Sequence, residues 1–202
     1  MGLTRINNQA LTNVTSAGLP TLDHDKLPTG STIQIVQGTP FGGGNASNRH
    51  ISLSVPNYSN NKANLRHIGS TYDVSLTTKR ANSKFLITVS ATVSADTTSH
   101  MYLEQKIYHG STNQGWASEI IGGSGMGNDG LTAGHRDTVS QVHKEAITYL
   151  YSPSNVAKGT VIKLETYIGN WVATTMRIGA YTGAGNNNAN DPAVITITEI
   201  AG

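Results

Sequence analysis

The sequence contains two short stretches whose residue types could bind a metal ion or a phosphate group. In the first, Asp23 and Asp25 flank His24, but successive side chains of an extended chain point in alternate directions and do not converge on one ion. The second, Gly122–Gly127, is glycine-rich but lacks the Gly-Lys-Ser/Thr ending of a phosphate-binding loop. We therefore predict no metal site and no cofactor.

Residues for acid, base or nucleophilic catalysis are present but not grouped in a recognisable pattern. The seven histidines lack the His-Glu-x-x-His spacing of zinc enzymes, and we interpret His100 and His109, which bracket one predicted strand, as solvent-exposed edge residues. No Gly-x-Ser-x-Gly stands at a strand-to-helix turn. Near the long glycine-rich stretch, Asp129 and Asp137 are the only carboxylate pair that could hydrolyse a glycan. The sequence predicts a protein that is not an enzyme, with a glycan depolymerase as an alternative.

Aromatic residues in polar surroundings point to sugar binding instead. A Trp or Tyr ring stacks on the apolar face of a sugar, while neighbouring amides and carboxylates bond its hydroxyls. Tyr102 and Tyr108 fall on the polar face of their strand, where we favour a subunit interface over a ligand contact. The candidate receptor or glycan contacts are Trp116, Asn128, Asp129, His135 and Trp171.

The composition excludes several classes of protein. The net charge is only +2 and 13% of residues are charged, with no Lys/Arg cluster, so a nucleic-acid partner is not expected. There is no apolar run of the roughly 20 residues that a bilayer requires, so we expect no membrane insertion. The absence of cysteine excludes a disulfide-stapled scaffold. Low charge with abundant Ser, Thr, Asn and Gly favours strands over helices.

Alternation of apolar and polar residues dominates the sequence after Gly30. About nine runs alternate with period 2 between Gly, Pro, Asn and Ser, and the longest is Phe85–Val93. Gly169-Asn170, between two of these runs, predicts a tight hairpin turn. The fold class is therefore all-β: an antiparallel β-sandwich, jelly-roll-like, with an extended N-terminal arm.

The first 30 residues differ from the remainder because their apolar residues follow no regular period. We predict that residues 1–30 form an attachment or oligomerisation arm and that residues 31–202 form one β-sandwich domain. Such an arm gains order by lying on a sister subunit or on a larger particle. The residues expected to dock it are Ile6, Leu11, Val14, Leu19 and Leu22. Without a secretory signal after Met1, the chain is expected to fold where it is made.

Several stretches resemble virion proteins of marine bacteriophages, the tail fibres of cyanophages among them. The first is the junction formed by Asn8–Pro20 (NQALTNVTSAGLP), Leu22–Ser31 (LDHDKLPTGS) and the strand Ile33–Val36 (IQIV). The others are Tyr72–Thr78 (YDVSLTT), Asn82–Ser90 (NSKFLITVS) and the closing Ile195–Gly202 (ITITEIAG). The resemblance implies a β-sandwich head, commonly trimeric, displayed on a phage particle, and it transfers no catalytic residues.

The expected function follows from this resemblance and from the exposed aromatics. We expect a virion structural protein, assembled in the bacterial cytoplasm, that forms a short fibre, a tail-fibre tip or a capsid fibre. Such fibres usually include an attachment domain and a shaft that this sequence lacks, so the arm would provide the docking to other virion proteins. The expected assembly is a homotrimer that contacts polysaccharide on the host surface. The alternative without a receptor is a capsid decoration or tail adaptor protein.

Overall fold

The computed structural model describes residues 23–40, 51–59, 61–122, 131–135, 143–179 and 193–202. Within these ranges the chain forms two antiparallel sheets and one short α-helix, so the prediction of an all-β sandwich is confirmed. No helix in the described part of the chain is long and apolar enough to cross a membrane.

Six strands lie in each sheet. The first sheet contains β1 (Thr32–Gln37), β2 (Ile51–Val55), β5 (Lys84–Ala95), β9 (His143–Tyr151), β11 (Thr174–Ile178) and β12 (Val194–Ile200). The second contains β3 (Arg66–His67), β4 (Val74–Thr77), β6 (His100–His109), β7 (Thr112–Trp116), β8 (Thr132–His135) and β10 (Val161–Asn170). The α-helix, α1, spans Ala117–Gly122, and 3-10 turns occupy His24–Lys26, Lys62–Asn64 and Ser70–Tyr72.

Eight of these strands follow the jelly-roll order. In the first sheet β1, β12, β5 and β9 are successive neighbours, and in the second β4, β10, β6 and β7 are. Counted along the chain, these orders are 1-8-3-6 and 2-7-4-5, the arrangement of two interleaved Greek keys. The remaining strands lengthen the sheets: β11 and β2 extend the first, and β3 and β8 the second.

The core lies between the two sheets and is formed by the alternating side chains that the sequence pattern indicates. On β5, every second residue from Phe85 to Ala95 is buried, while Lys84, Thr88 and Ser90 face outward. The opposite wall comes from β10 and β6. Its fully buried side chains are Ile162, Leu164, Ile168, Met101, Leu103 and Ile107. Burial of this apolar area, at about 25 cal/mol per Å², is the main stabilising contribution.

A chain of buried hydrogen bonds crosses this core. The Tyr149 hydroxyl on β9 donates to Gln105 Oε1 on β6 at 2.6 Å, and Gln105 Nε2 donates to Thr166 Oγ1 on β10 at 3.2 Å. All three side chains are buried, and burial raises the pKa of the Tyr149 phenol well above its usual value. Because each of the three side chains has a hydrogen-bond partner, the chain links the two sheets through buried polar groups.

The β6–β10 pairing is the longest ladder of the second sheet. It runs without interruption through nine residue pairs, from Ile162 opposite His109 to Asn170 opposite Met101. Gly169-Asn170 is therefore the end of β10 and not a hairpin turn, so that prediction is wrong. After it the chain crosses to the first sheet as β11. A Cβ on Gly169 would lie 2.4 Å from Leu65 Cδ2, so glycine here admits a close packing contact.

The glycine-rich stretch 110–135 holds more regular structure than its composition indicates. It contains β7, α1 and β8, with residues 123–130 outside the described part. Glycine is tolerated in β7 because the strand is short and lies at the edge of the sheet. Its register also shifts opposite Ile107 and Tyr108. Gly115, which adopts φ +123°, occupies this irregular position.

The described end of the N-terminal arm lies on its own sandwich. The Gly30 N–H donates to the Ala201 carbonyl at 2.8 Å, and Arg80 Nη1 donates to the Leu27 carbonyl at 2.5 Å. Lys158 also forms an exposed ion pair with Asp25. The predicted docking residues Ile6, Leu11, Val14, Leu19 and Leu22 lie outside the described residues, and their role stays a prediction.

A buried carboxylate on β12 holds the loop between β4 and β5. Glu199 is fully buried and accepts hydrogen bonds from the backbone N–H groups of Lys79 and Arg80, from the Ser83 hydroxyl at 2.7 Å and from Gln34 Nε2. All of these groups donate hydrogen bonds to the carboxylate, so position 199 requires a side chain that only accepts hydrogen bonds.

We expect Glu199→Gln to destabilise the fold by about 2 kcal/mol, because the new amide N–H₂ faces donors and the charge-assisted bonds are lost. The measurement is the free energy of unfolding from urea denaturation. Ser83→Ala removes only one of the donors and should cost about 1 kcal/mol. Equal stability of the Glu199→Gln and wild-type proteins would contradict this account of the loop.

Candidate functional site

The outer surface of the second sheet carries a group of aromatic and charged side chains, which we name the aromatic face. It is formed by the residues of β6, β7, β10 and β3 that alternate with the core positions. Its members are Lys106, Tyr108, Trp116, Lys163, Glu165, Tyr167 and His67. The strand register places these side chains on one side, since Lys106 lies opposite both Glu165 and Trp116.

Trp116, on the edge strand β7, is held by two side chains of the neighbouring strands. Its ring meets the Tyr167 ring edge-on, with centroids 5.0 Å apart and an interplanar angle of 79°. Lys106 Nζ lies 4.4 Å from the Trp116 centroid and 5.0 Å from the Tyr167 centroid. Such cation–π contacts contribute about 0.5–1 kcal/mol each at partly exposed sites. Trp116 is half-buried, so its ring is fixed in orientation and still reaches solvent.

Glu165 organises the polar half of the aromatic face. Its carboxylate accepts from the hydroxyls of Tyr108 at 2.9 Å and Tyr167 at 2.8 Å, and from Lys163 Nζ at 2.6 Å. Burial alone would raise the pKa of Glu165, but the three donors together lower it. Burial and the bond to this carboxylate raise the pKa of the Tyr108 and Tyr167 phenols. Both phenols therefore remain hydrogen-bond donors at neutral pH.

A histidine–aspartate pair extends the face at β3. His67 Nε2 lies 2.7 Å from Asp73 Oδ1, and the His67 ring centroid is 5.1 Å from that of Tyr167. Burial raises the pKa of the Asp73 carboxyl, and the bond and charge of His67 offset part of this rise. The aromatic face thus combines stacking rings, carboxylates and cationic donors, the groups that bind sugar hydroxyls and C–H faces.

Beneath Trp116 lies a buried ion-pair cluster that has the residue types of a catalytic dyad. Lys62 Nζ lies 3.0 Å from Glu104, 3.1 Å from Glu119 and 2.6 Å from Ser118 Oγ. The Ser118 hydroxyl in turn donates to Glu104. Serine–lysine catalysis needs an accessible hydroxyl and a neutral amine, whereas Ser118 is 2% exposed and Lys62 is paired with two carboxylates. The cluster fastens α1 and the segment around Lys62 to the sheet.

A second polar pair faces a cleft at the end of the sandwich. His109 Nε2 on β6 lies 2.8 Å from the Tyr151 hydroxyl on β9. Burial lowers the pKa of the His109 imidazole and raises the pKa of the Tyr151 phenol to about 12. The adjoining space measures about 260 Å³ and is bounded by the β6–β7 hairpin, by α1 and by the residues after β9. His109 is therefore half-buried at the end of its strand, where one side of the ring packs near Tyr151 and the residue also lines the cleft.

The structure separates the residues predicted to contact a glycan. Trp116 lies on the aromatic face. Trp171 is 40% exposed in the turn after β10, where its backbone N–H donates to the His100 carbonyl at 2.9 Å. His135 on β8 is paired with His100, so its backbone lies at the same end of β6 as Trp171. This end is six residues from Lys106, or roughly 20 Å at 3.3 Å per residue. Asn128 and Asp129 lie outside the described residues.

Most members of the aromatic face were not predicted from the sequence. Lys163, Glu165 and Tyr167 alternate along β10 with the same period as the polar residues of β6, and this shared period is the signal that could have found them. Tyr102, which we expected at a subunit interface, is 5% exposed because it stacks against Tyr58 of its own chain at 4.5 Å. Among the described residues no group of three His, Asp or Glu side chains could hold a metal ion.

Comparisons with known proteins add little beyond this geometry. No family model and no curated protein matches the chain. Among solved structures it is similar to infectious bursal disease virus Gt strain (TM-score 0.40, 10% identity, 91% of this chain and 43% of that chain). It is also similar to particles derived from the same virus (0.41, 9%, 91% and 41%) and to a CocE/NonD family hydrolase from Staphylococcus aureus (0.37, 12%, 86% and 37%). The chain spans less than half the length of each.

The half-buried imidazole of His109 predicts a pH-dependent stability. Because burial lowers the folded-state pKa of His109 below the value near 6.5 of an unfolded chain, the unfolded protein binds this proton more readily. The stability contribution is therefore complete above about pH 6.5 and is lost as the pH falls through the folded pKa. We expect the stability advantage of wild type over His109→Gln to shrink between about pH 7.5 and pH 5, as measured by urea denaturation.

Tyr151→Phe is the matched variant for this measurement. It removes the hydrogen bond to Nε2 but keeps the ring that buries the imidazole. Since burial is the cause of the shift, this variant should retain the pH dependence of wild type. A constant difference between wild type and His109→Gln over the whole pH range would refute the effect.

Proposed function

We propose that this chain is a structural protein of a bacteriophage particle, a jelly-roll head that binds host-surface glycans through its aromatic face. The observation that carries the proposal is the fixed pair of rings, Trp116 and Tyr167, set beside Lys106 and Glu165 on the outer surface of the second sheet. A sugar ring stacked on the indole would lie within reach of both a carboxylate and an ammonium group.

The rigidity of this face favours binding. Glu165 holds Tyr167 and Tyr108 by hydrogen bonds, and Lys106 is held against the fixed pair of rings. Side chains that are already ordered lose little conformational entropy when a ligand binds. A low entropy cost is important for glycan binding, because each sugar contact contributes little free energy and the cost of ordering a mobile side chain would offset it.

The fold and the sequence support a place on the virion. Jelly rolls recur in capsid and lectin domains, which is an argument by analogy. The resemblance of the sequence to marine phage fibre proteins adds the expectation of a homotrimer, docked to other virion proteins through residues 1–30 and assembled in the bacterial cytoplasm. Three copies would present three aromatic faces to one surface, and several weak sites acting together bind far more tightly than one. A capsid decoration or tail adaptor protein without a receptor is the alternative that the experiment below separates.

One observation favours a second candidate, a glycan depolymerase. Asp73 directly precedes β4, and Glu165 lies on β10 between the residues that pair with β3 and with β4, so the two carboxyl groups are neighbours. Burial raises the pKa of Asp73, whereas hydrogen bonds from three donors lower that of Glu165. Glycoside hydrolases use such a pair, one carboxyl protonated as the acid and the other ionised.

Trp116→Ala should reduce binding to an array of bacterial surface polysaccharides by about tenfold or more, because it removes the stacking ring. Trp171→Ala deletes an exposed indole at the far end of β6 and should leave binding unchanged. Trp116→Phe keeps a ring against Tyr167 and should retain part of the affinity. Urea denaturation of each variant confirms folding. Binding that depends on Trp171 and not on Trp116, or no binding by wild type, would contradict the attachment function of the aromatic face.

The depolymerase candidate predicts release of reducing sugar from a polysaccharide that the protein binds. Asp73→Asn and Glu165→Gln should each abolish release, because one removes the acid and the other the ionised carboxylate. Asp96→Asn is the control: it changes an exposed carboxylate that pairs with Arg177 of the first sheet and should leave release unchanged. If wild type releases no sugar from any polysaccharide it binds, the protein is a binding head without hydrolase activity.

A further inference from the structure

The cleft beside His109 is a concave site on a part of the molecule that the aromatic face does not use. We name it the His109 cleft and define it by His109, Gln114, Ile120, Tyr151, Ser152 and Ser154, with Pro153 completing the wall. Gln114 belongs to the bulged part of β7, where the register shifts by one residue, and it lines the cleft. At about 260 Å³, the space is smaller than a site for a drug-sized ligand.

The polar groups of the cleft are neutral. Gln114 Nε2 donates to the Thr112 carbonyl at 3.2 Å, so its second N–H and its amide oxygen have no other bond to the described residues. Ser152 and Ser154 are exposed and each adds a hydroxyl that can donate and accept. Burial lowers the pKa of the His109 imidazole and so disfavours its charged form, and Nε2 is paired with Tyr151. Within the described part of the chain, no Asp, Glu, Lys or Arg side chain lines the space.

Apolar surfaces occupy the remaining wall. Ile120 on α1 is 39% exposed, and it faces this space together with Pro153 and the Tyr151 ring. An apolar wall with uncharged donors and acceptors matches a neutral sugar, whose ring offers a C–H face and a rim of hydroxyls. A charged ligand would lose its hydration here without gaining a counter-charge.

We propose that the His109 cleft binds one neutral monosaccharide unit, such as the terminal residue of a glycan, independently of the aromatic face. The two sites lie on different surfaces of the β6–β7 hairpin, since Trp116 is on the outer side of the sheet and His109 on the core side. A glycan terminus in the cleft would add a second point of recognition per subunit. The proposal holds whether or not the aromatic face binds sugar, because the two sites share no residue.

The test is an NMR titration of the protein with labelled isoleucine methyl groups, using glucose, galactose and N-acetylglucosamine as neutral probes and glucuronate as the charged one. We expect at least one neutral sugar to shift the Ile120 methyl signal with saturation in the millimolar range, as is usual for a single small ligand unit. Glucuronate should give a weaker effect. If no neutral sugar shifts Ile120, or if glucuronate binds as well, the proposal is wrong.

Three variants test whether the sugar that shifts the Ile120 methyl signal is bound in the cleft. Gln114→Ala removes the exposed carboxamide and should weaken binding by about tenfold, the loss of one to two hydrogen bonds. Ser111→Ala, at the turn of the same hairpin and outside the cleft, should leave it unchanged. Trp116→Ala should weaken binding at the aromatic face but preserve the Ile120 shift. A shift that disappears in Trp116→Ala and persists in Gln114→Ala would place the sugar on the aromatic face and overturn the proposal.

Discussion

The pairing of β6 with β10 positions both the aromatic face and the core wall behind it. In this ladder of nine pairs, one side of each strand enters the core and the other side forms the aromatic face. A slip of one residue would exchange the two sides, placing Lys106 and Glu165 in the core and Leu103 outside. The same ladder brings Gln105 opposite Thr166, which anchors the hydrogen-bond chain across the core, and sets His109 at the end of the sandwich where the cleft opens.

Two fully buried carboxylates each fasten a neighbouring segment of the chain. Only 12 residues of the sequence are acidic, yet Glu104 and Glu199 are both fully buried. Glu104 meets the Lys62 ammonium and the Ser118 hydroxyl and so anchors α1, which directly follows Trp116. Glu199 accepts hydrogen bonds from neutral donors in the loop between β4 and β5. In each case an acid on a strand orders a piece of irregular backbone that propensity alone would leave undefined.

The sequence predicts the strands well where alternation is long and local. The run Phe85–Val93 lies within β5, Lys84–Ala95, as the period of 2 indicates. Trp116 was found because an indole among glycines is conspicuous, but its partner Tyr167 was missed, since 51 positions separate them and only the β7–β6–β10 register joins them. The partial burial of His109 escaped the sequence for the same reason, since it depends on Tyr151, 42 residues away. Local patterns predict elements, whereas the sites arise from pairings between distant strands.

The position of β12 in the first sheet has a consequence for how the chain folds. This strand lies between β1 and β5, and the Gln34–Glu199 hydrogen bond joins residues 165 positions apart. Until β12 inserts, β1 has no partner among the described strands and one edge of β5 is open over most of its length. Pairing between strands that are distant in the sequence gives a high contact order, which slows folding. The apolar edges of the sheet stay exposed until this pairing forms. During synthesis, the sandwich therefore stays incomplete until residues 194–200 have emerged from the ribosome, and premature association between open edges is the competing reaction at that stage.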